Sequence, residues 1–250
     1  MKYPYAFRSK SNYRSKLRSL PSTVHRTADQ TNCDQKLAQS THWNNPDSWL
    51  SFADTNLLLR KQARNEASLS RHAAAIKILD RLIVREPANP NHFVNRGLMH
   101  SHLQRYDEAL ADYNRAVDLN PKLDKAYNNR ANLHAIAHNW PNAIADYDQA
   151  IDLNPLNIRA RLNQAITFRE IGDYEEALAC LDIALFFRPQ SAFLYAEKGR
   201  THHLRGHWNQ AIADYTTACR LAADSSLEDI GNPAKVIRKV RSWTNSLNAI

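Results

Sequence analysis

The sequence predicts an all-α fold made by stacking one helix pair on the next. Three observations carry this. The phrase DYNRAVDLNP at Asp112–Pro121 returns as DYDQAIDLNP at Asp146–Pro155, 34 residues later. Other residues keep the same interval well beyond that phrase, among them Pro87, Pro121, Pro155 and Pro189. Only 5 glycines occur in 250 residues, too few for the turns of a loop-rich or all-β chain.

The interval divides the chain into five units: 56–89, 90–123, 124–157, 158–191 and 192–225. Within them Ala75, Ala109, Ala143, Ala177 and Ala211 share a position, as do Leu82, Ala116, Ala150, Ala184 and Ala218. So do Leu79, Tyr113, Tyr147, Leu181 and Tyr215. A small residue recurs near each start: Ala63, Gly97, Ala131, Ala165 and Gly199. Each unit reads as two helices. NHFVNRGLMHSHLQR and AYNNRANLHAIAHN exemplify the first, helix A. YDEALADYNRAVDLN and WPNAIADYDQAIDLN exemplify the second, helix B, with apolar residues at i, i+3, i+4 and i+7. Proline stops B because it has no N–H to continue the ladder. The small residues mark close approach of A to B. One pair cannot bury its apolar face alone, so the interface repeats along the chain.

The ends are atypical. NNPDSWLSFADTNLLL places Asn45 as an N-cap and Pro46 at the first helical position, predicting a lead-in helix over 43–55 that runs into unit one. Residues 226–250 read as a loop and a capping helix. In that helix Val236, Val240, Trp243 and Leu247 form an inward stripe, and Lys235, Arg238, Lys239 and Arg241 an outward basic face. Residues 1–42 form a basic arm, with eight Lys/Arg against Asp29 and Asp34, net +6. The remaining 208 residues carry 25 basic and 23 acidic groups, net +2. Cys33, Cys180 and Cys219 are odd in number and widely spaced, which predicts reduced thiols in an intracellular protein. No apolar run approaches the ~20 residues of a membrane span, and no secretory h-region is seen. The expected location is cytoplasmic, with a peripheral membrane or organellar site as the alternative.

The spacing and residue types resemble the tetratricopeptide repeat family, whose 34-residue pattern places an aromatic, Gly/Ala, Tyr, Ala, Phe/Tyr, Ala and Pro in order. Phe93, Gly97, Ala109, Tyr113, Ala116 and Pro121 carry it in unit two, and Tyr127, Ala131, Ala143, Tyr147, Ala150 and Pro155 in unit three. Unit four departs at Arg161, where an aromatic is expected, and unit one at Leu82 and Glu66. The resemblance implies a right-handed α-solenoid of about five helix pairs with a C-terminal capping helix. It also implies a concave groove lined by helix A.

In that frame the groove residues are Arg60, Lys61 and Arg64 of unit one, and Asn91, Asn95, Leu98 and His102 of unit two. Unit three adds Lys125, Asn128, Asn129 and Asn132; unit four Arg159, Asn163, Ile166 and Arg169; unit five Phe193, Glu197 and Arg200. Asn95, Asn129 and Asn163 share one position in three units. An amide both donates and accepts, so a row of them suits a peptide backbone, similar to the asparagine ladder in the repeat superhelix of O-GlcNAc transferase. The bland alternative is a polar, crowded contact between A helices. Against the family's carboxylate clamp for chaperone C-termini, Arg60, Arg64, Asn95, Lys125 and Asn129 match outright only at Asn95 and Lys125. The set Arg60, Arg64, Asn95, Lys125, Asn129, Arg159, Asn163 and Arg200 is therefore expected to attract an acidic or carboxylate-bearing protein segment.

No glycine-rich phosphate loop, nucleophile elbow or metal motif appears, so neither catalysis nor a cofactor is expected. His100, His134 and His202 recur where the family has Tyr, and read as packed substitutes. His134/His138 and His203/His207 have metal-pair spacing but lack a third ligand. The expected function is a non-catalytic interaction scaffold, an adaptor or assembly factor in the style of bacterial and plastid repeat proteins. Two alternatives stay open: a nucleic-acid- or ribosome-associated factor, or a permanent subunit of a large complex. The arm is open between a solvated tail, a cleaved transit peptide, and a hook for RNA, lipid headgroups or an acidic protein.

Overall fold

The structure, a computed structural model, describes residues 51–224 and 232–245. The basic arm, residues 43–50 of the lead-in helix, Cys33 and Leu247 lie outside the described residues.

Eleven helices and no strand occur among the described residues. They are α1 (Phe52–Ser68), α2 (His72–Arg85), α3 (Pro90–His102), α4 (Tyr106–Leu119), α5 (Asp124–Ile136), α6 (Trp140–Leu153), α7 (Ile158–Ile171), α8 (Tyr174–Phe187), α9 (Ala192–Arg205), α10 (Trp208–Ala223) and α11 (Pro233–Asn245). The odd-numbered helices α1 to α9 are the A helices and the even-numbered ones the B helices. From α3 on, each A helix packs on its own B, on the preceding B and on the next A. The solenoid expected from the repeat is thus the fold. Helix α11 lies against α9 and α10, where a sixth A helix would begin.

The two turns of each unit have separate local causes. After each of the first four B helices the chain leaves the helix at Glu86, Asn120, Asn154 or Arg188, whose N–H still bonds the carbonyl of Leu82, Ala116, Ala150 or Ala184. A proline follows directly in every case, so the helix cannot resume. Between A and B one residue adopts the left-handed conformation, and it too recurs every 34 residues: Ser70, Gln104, His138, Gly172 and Gly206, with φ of 58°, 58°, 56°, 92° and 87°. Only the last two are glycines, the residue that takes this region without steric cost.

Helix A meets helix B through the small residue sixteen positions before a large one. Tyr113 and Tyr147 are almost fully buried, each about 1% exposed. A Cβ on Gly97 would stand 2.7 Å from Tyr113 Cε1 and 3.2 Å from the Ala109 carbonyl oxygen. A Cβ on Gly199 would stand equally close to the Tyr215 ring. Where the B residue is Leu79 or Leu181, helix A carries Ala63 or Ala165. Unit three combines Ala131 with Tyr147, whose hydroxyl donates to Asn132 Oδ1 at 2.7 Å.

Helix α11 buries Val236 and Val240 against Ala196, Tyr215, Ala218 and Leu221, with Trp243 packed beside them. Lys235, Arg238 and Arg241 point outward as expected. Lys239 does not: its ammonium reaches Glu197 Oε1 at 3.0 Å and lies over the rings of Phe193 and Trp243. Buried Glu197 needs a counter-charge, which outweighs the helical-wheel preference for an outward lysine.

Gly97→Leu and Ala131→Leu should each cost about 1–3 kcal/mol through overpacking against the tyrosine ring. Thermal unfolding followed by circular dichroism checks this, and unchanged melting of both variants refutes the contact. Gln104→Gly should raise the melting temperature slightly, since glycine relieves a left-handed residue costing about 1 kcal/mol.

Candidate functional site

The eight groove candidates sit on five A helices and are not equivalent. Asn95 on α3, Lys125 on α5, Arg159 on α7 and Arg64 on α1 are exposed and make no side-chain hydrogen bond or ion pair among the described residues. Asn129 and Asn163 are half-buried and linked through a residue between them. Asn163 Nδ2 donates to Asn128 Oδ1 at 3.2 Å, and Asn128 Nδ2 donates to Asn129 Oδ1 at 3.1 Å. The register placed Asn129 and Asn163 in line. The bridging role of Asn128 needed the relative rotation of α5 and α7, which the sequence does not state.

Arg60 is committed elsewhere. Its guanidinium holds both carboxylate oxygens of Glu86, at 2.7 and 2.6 Å. Asn56 donates to Glu86 Oε1 at 2.8 Å, and His92 Nε2 lies 2.6 Å from Oε2. Burial alone would raise the Glu86 carboxyl. The hydrogen bonds from His92, Arg60 and Asn56 outweigh it and hold the pKa at about 2. Arg200 lies over the Trp243 ring, 5.5 Å from its centroid, and so belongs to the contact with α11. Arg169 is also spent internally, on Glu197 Oε2 at 2.9 Å. Of the seven cations expected along the A helices, Arg60, Arg169 and Arg200 are thus engaged within the fold, while Lys61, Arg64, Lys125 and Arg159 remain exposed.

A second charged set runs between the helices, and the sequence reading missed it. Arg96 on α3 grips Asp112 on its own B helix with Nε and Nη2, at 2.9 and 2.6 Å, and reaches Asp80 on the preceding B helix at 2.7 Å. Arg130 repeats this with Asp146, at 2.7 Å twice, and Asn114, at 2.9 Å. Each guanidinium also lies over an aromatic three residues earlier, Phe93 or Tyr127. One side chain thus ties three helices together. Its signal was present, as basic residues with a polar partner sixteen places to either side, repeated at 34.

Unit four replaces the ion pair with neutral groups and keeps a carboxylate only at Asp148 on the preceding B helix. Gln164 takes the arginine position and Cys180 the aspartate position. Gln164 Nε2 donates to Asp148 at 2.6 Å, while Cys180 Sγ lies 3.5 Å from Gln164 Oε1. The aromatic is gone as well, replaced by Arg161. Burial, with Glu176 adding, pushes the Cys180 thiol up to about 11, so it is an inert packing group.

Unit five keeps the charge but loses the fork. Lys198 reaches Asp182 at 2.6 Å. A lysine is a single point charge and cannot also hold the second carboxylate as arginine does. Asp214 Oδ2 is left buried without a hydrogen bond, with His202 Nε2 3.8 Å away. Burial, reinforced by Asp182 and opposed by Lys198, raises the Asp214 carboxyl to about 6. His134 stands in the same relation to Asp146, at 3.9 Å. His202 and His134 therefore pack beside the clip carboxylates. Among the described residues no three His, Cys, Asp or Glu side chains converge as metal ligands, and no helix there is long and apolar enough to cross a membrane.

Two pH effects follow, of opposite sign. Glu86 has a folded pKa below its ordinary value of 4.5. Its contribution is therefore present above about pH 4.5 and lost as pH falls toward 2. Glu86→Gln should flatten the acid limb of a stability–pH curve, and an unaltered limb refutes the network. Asp214 has a folded pKa raised above its ordinary 3.8. Stability is lost as pH rises through 6. Asp214→Asn should stabilise by about 1–3 kcal/mol at pH 7.5 and have little effect at pH 4, as checked by chemical denaturation at both values.

Residues 90–123 match the tetratricopeptide repeat family, and residues 128–192 match a second family of the same description, tetratricopeptide repeat. No curated protein sequence matches the chain. Among solved structures, a crystal structure of MamA superposes with TM-score 0.57 at 15% identity, over 66% of this chain and 96% of that one. MamA from Desulfovibrio magneticus RS-1, from its residue 41 to its end, gives 0.60 at 14% identity, over 71% and 100%. At such identities the likeness is one of fold.

Proposed function

Given that the chain belongs to the tetratricopeptide repeat family, we propose that it is a non-catalytic protein–protein interaction scaffold that holds an extended partner segment along its A helices. One observation carries this reading. The cations that hold the fold together are neutralised internally, whereas Arg64 on α1, Lys125 on α5 and Arg159 on α7 stand exposed and unpaired, with Asn95 on the intervening α3. Unpaired charge on the face that the fold repeats favours a partner with acidic side chains or a free carboxylate.

The amides divide the work. Asn95 offers a donor and an acceptor that nothing else uses, so a partner's peptide group gains a hydrogen bond outright. Asn129 and Asn163 must first give up their bonds through Asn128, so their net gain is smaller. The cations steer the encounter and set salt sensitivity, more than they set dissociation.

The experiment is affinity capture with the full chain, followed by titration of the captured partner. Asn95→Ala should weaken binding by about 1 kcal/mol without loss of stability, since Asn95 is exposed and its side chain makes no hydrogen bond among the described residues. Asn129→Ala and Asn163→Ala should weaken binding by less and cost some stability through the lost bonds to Asn128. Lys125→Ala with Arg159→Ala should slow association and reduce its salt dependence. Undiminished binding by a well-folded triple asparagine variant sinks the A-helix site and moves the search to the basic arm.

A further inference from the structure

Helix α11 spends its two faces differently. Its apolar side chains are consumed by the solenoid, with Val236 and Val240 buried and Trp243 packed on Tyr215. On the opposite face Lys235, Arg238 and Arg241 are all exposed, at i, i+3 and i+6. The helix, PAKVIRKVRSWTN, contains no acidic residue. None of these three cations has an ion-pair partner among the described residues. Several cations elsewhere are matched: Arg96 and Arg130 by aspartates, Arg205 by Glu175, Lys198 by Asp182. Even the fourth cation of α11, Lys239, is turned in to Glu197. The body is nearly neutral, yet it leaves a row of unbalanced positive charge at its C-terminal edge.

We propose that the outer face of α11 is a docking surface for the phosphates of a nucleic acid, bound independently of sequence. Like charges three apart on a helix repel by a few tenths of a kcal/mol per pair, a cost that an anionic partner removes. Six residues of helix span about 9 Å. A duplex carries one negative charge per about 1.7 Å of axis, so this row faces about five phosphate charges. Arginine forks match phosphate oxygens in pairs. Val236 and Val240 are buried, and Ile237 and Trp243 are packed against the solenoid, so no large apolar side chain of α11 stands free to enter an acyl layer, and this favours the nucleic acid over a membrane. Contacts from cationic side chains to phosphate oxygens fix position and carry no base readout. The proposal does not rest on the scaffold reading.

The test compares the full chain with a full-chain triple variant, Lys235→Gln, Arg238→Gln and Arg241→Gln. Glutamine preserves helix propensity, and circular dichroism confirms that the variant is folded. Binding of a fluorescent mixed-sequence DNA duplex is followed by anisotropy between about 50 and 200 mM salt. Each phosphate contact contributes about 0.9 to the slope of log affinity against log salt. The wild type should therefore lose about 40-fold more affinity than the variant over that range. Binding to phosphatidylserine vesicles and to polyglutamate should not distinguish the two proteins. Equal duplex affinity and salt slope in both proteins overturns the proposal, as does a difference confined to the vesicles or to polyglutamate.

Discussion

The register between helix A and helix B, sixteen residues apart, is the constraint from which the rest of the structure follows. It brings Gly97 against Tyr113 and Gly199 against Tyr215 so closely that no Cβ fits without a shift. One residue earlier, the same register brings Arg96 to Asp112 and Arg130 to Asp146. Packing and charge thus fix the same offset twice. A slide of one position would place a side chain where the ring lies and would part the guanidinium from its carboxylate.

Because the arginine also reaches the preceding B helix, the clip transmits that register from one unit to the next. Its chemistry changes along the chain. Units two and three use a buried, bidentate ion pair. Unit four replaces both partners with neutral groups, Gln164 and Cys180, a swap that can leave stability nearly unchanged because the desolvation cost disappears with the attraction. Unit five retains a cation but not a fork, and Asp214 is left with a burial cost that neutral pH exposes. The aromatic partner of the guanidinium disappears in unit four together with the arginine it supports. These three positions behave as one device.

Charge is sorted by depth. Paired residues such as Arg60 with Glu86, and Glu197 with Arg169 and Lys239, hold helices together. Exposed, unpaired cations include those of the A-helix row and those of the outer face of α11. An internal ion pair of this kind contributes positioning as much as stability, since removing one partner strands the other in a poorly solvated site. The unpaired cations carry no such duty, which leaves them available to a partner.

By itself the sequence determined the helix pairs and their number. A proline every 34 residues ends the first four B helices, and the A–B contact demands a small residue at a fixed place, so both are written in residue identity. It also placed Asn95, Asn129 and Asn163 at one position of successive helices, and Val236 and Val240 on the inward stripe of the last helix. It did not separate free groove residues from engaged ones. Arg60 and Arg200 look like Arg64 and Arg159 in the repeat frame, yet the former pair with Glu86 and Trp243. Those contacts join residues 26 and 43 positions apart, distances set by how one helix rotates against another. The left-handed turn residues were hidden for a related reason. Only Gly172 and Gly206 announce that conformation, whereas Ser70, Gln104 and His138 are held in it by the packing of the helices on either side. Lys239 shows the same rule at the last helix: its helical position points it outward, and the buried carboxylate of Glu197, supplied by a distant part of the chain, turns it in.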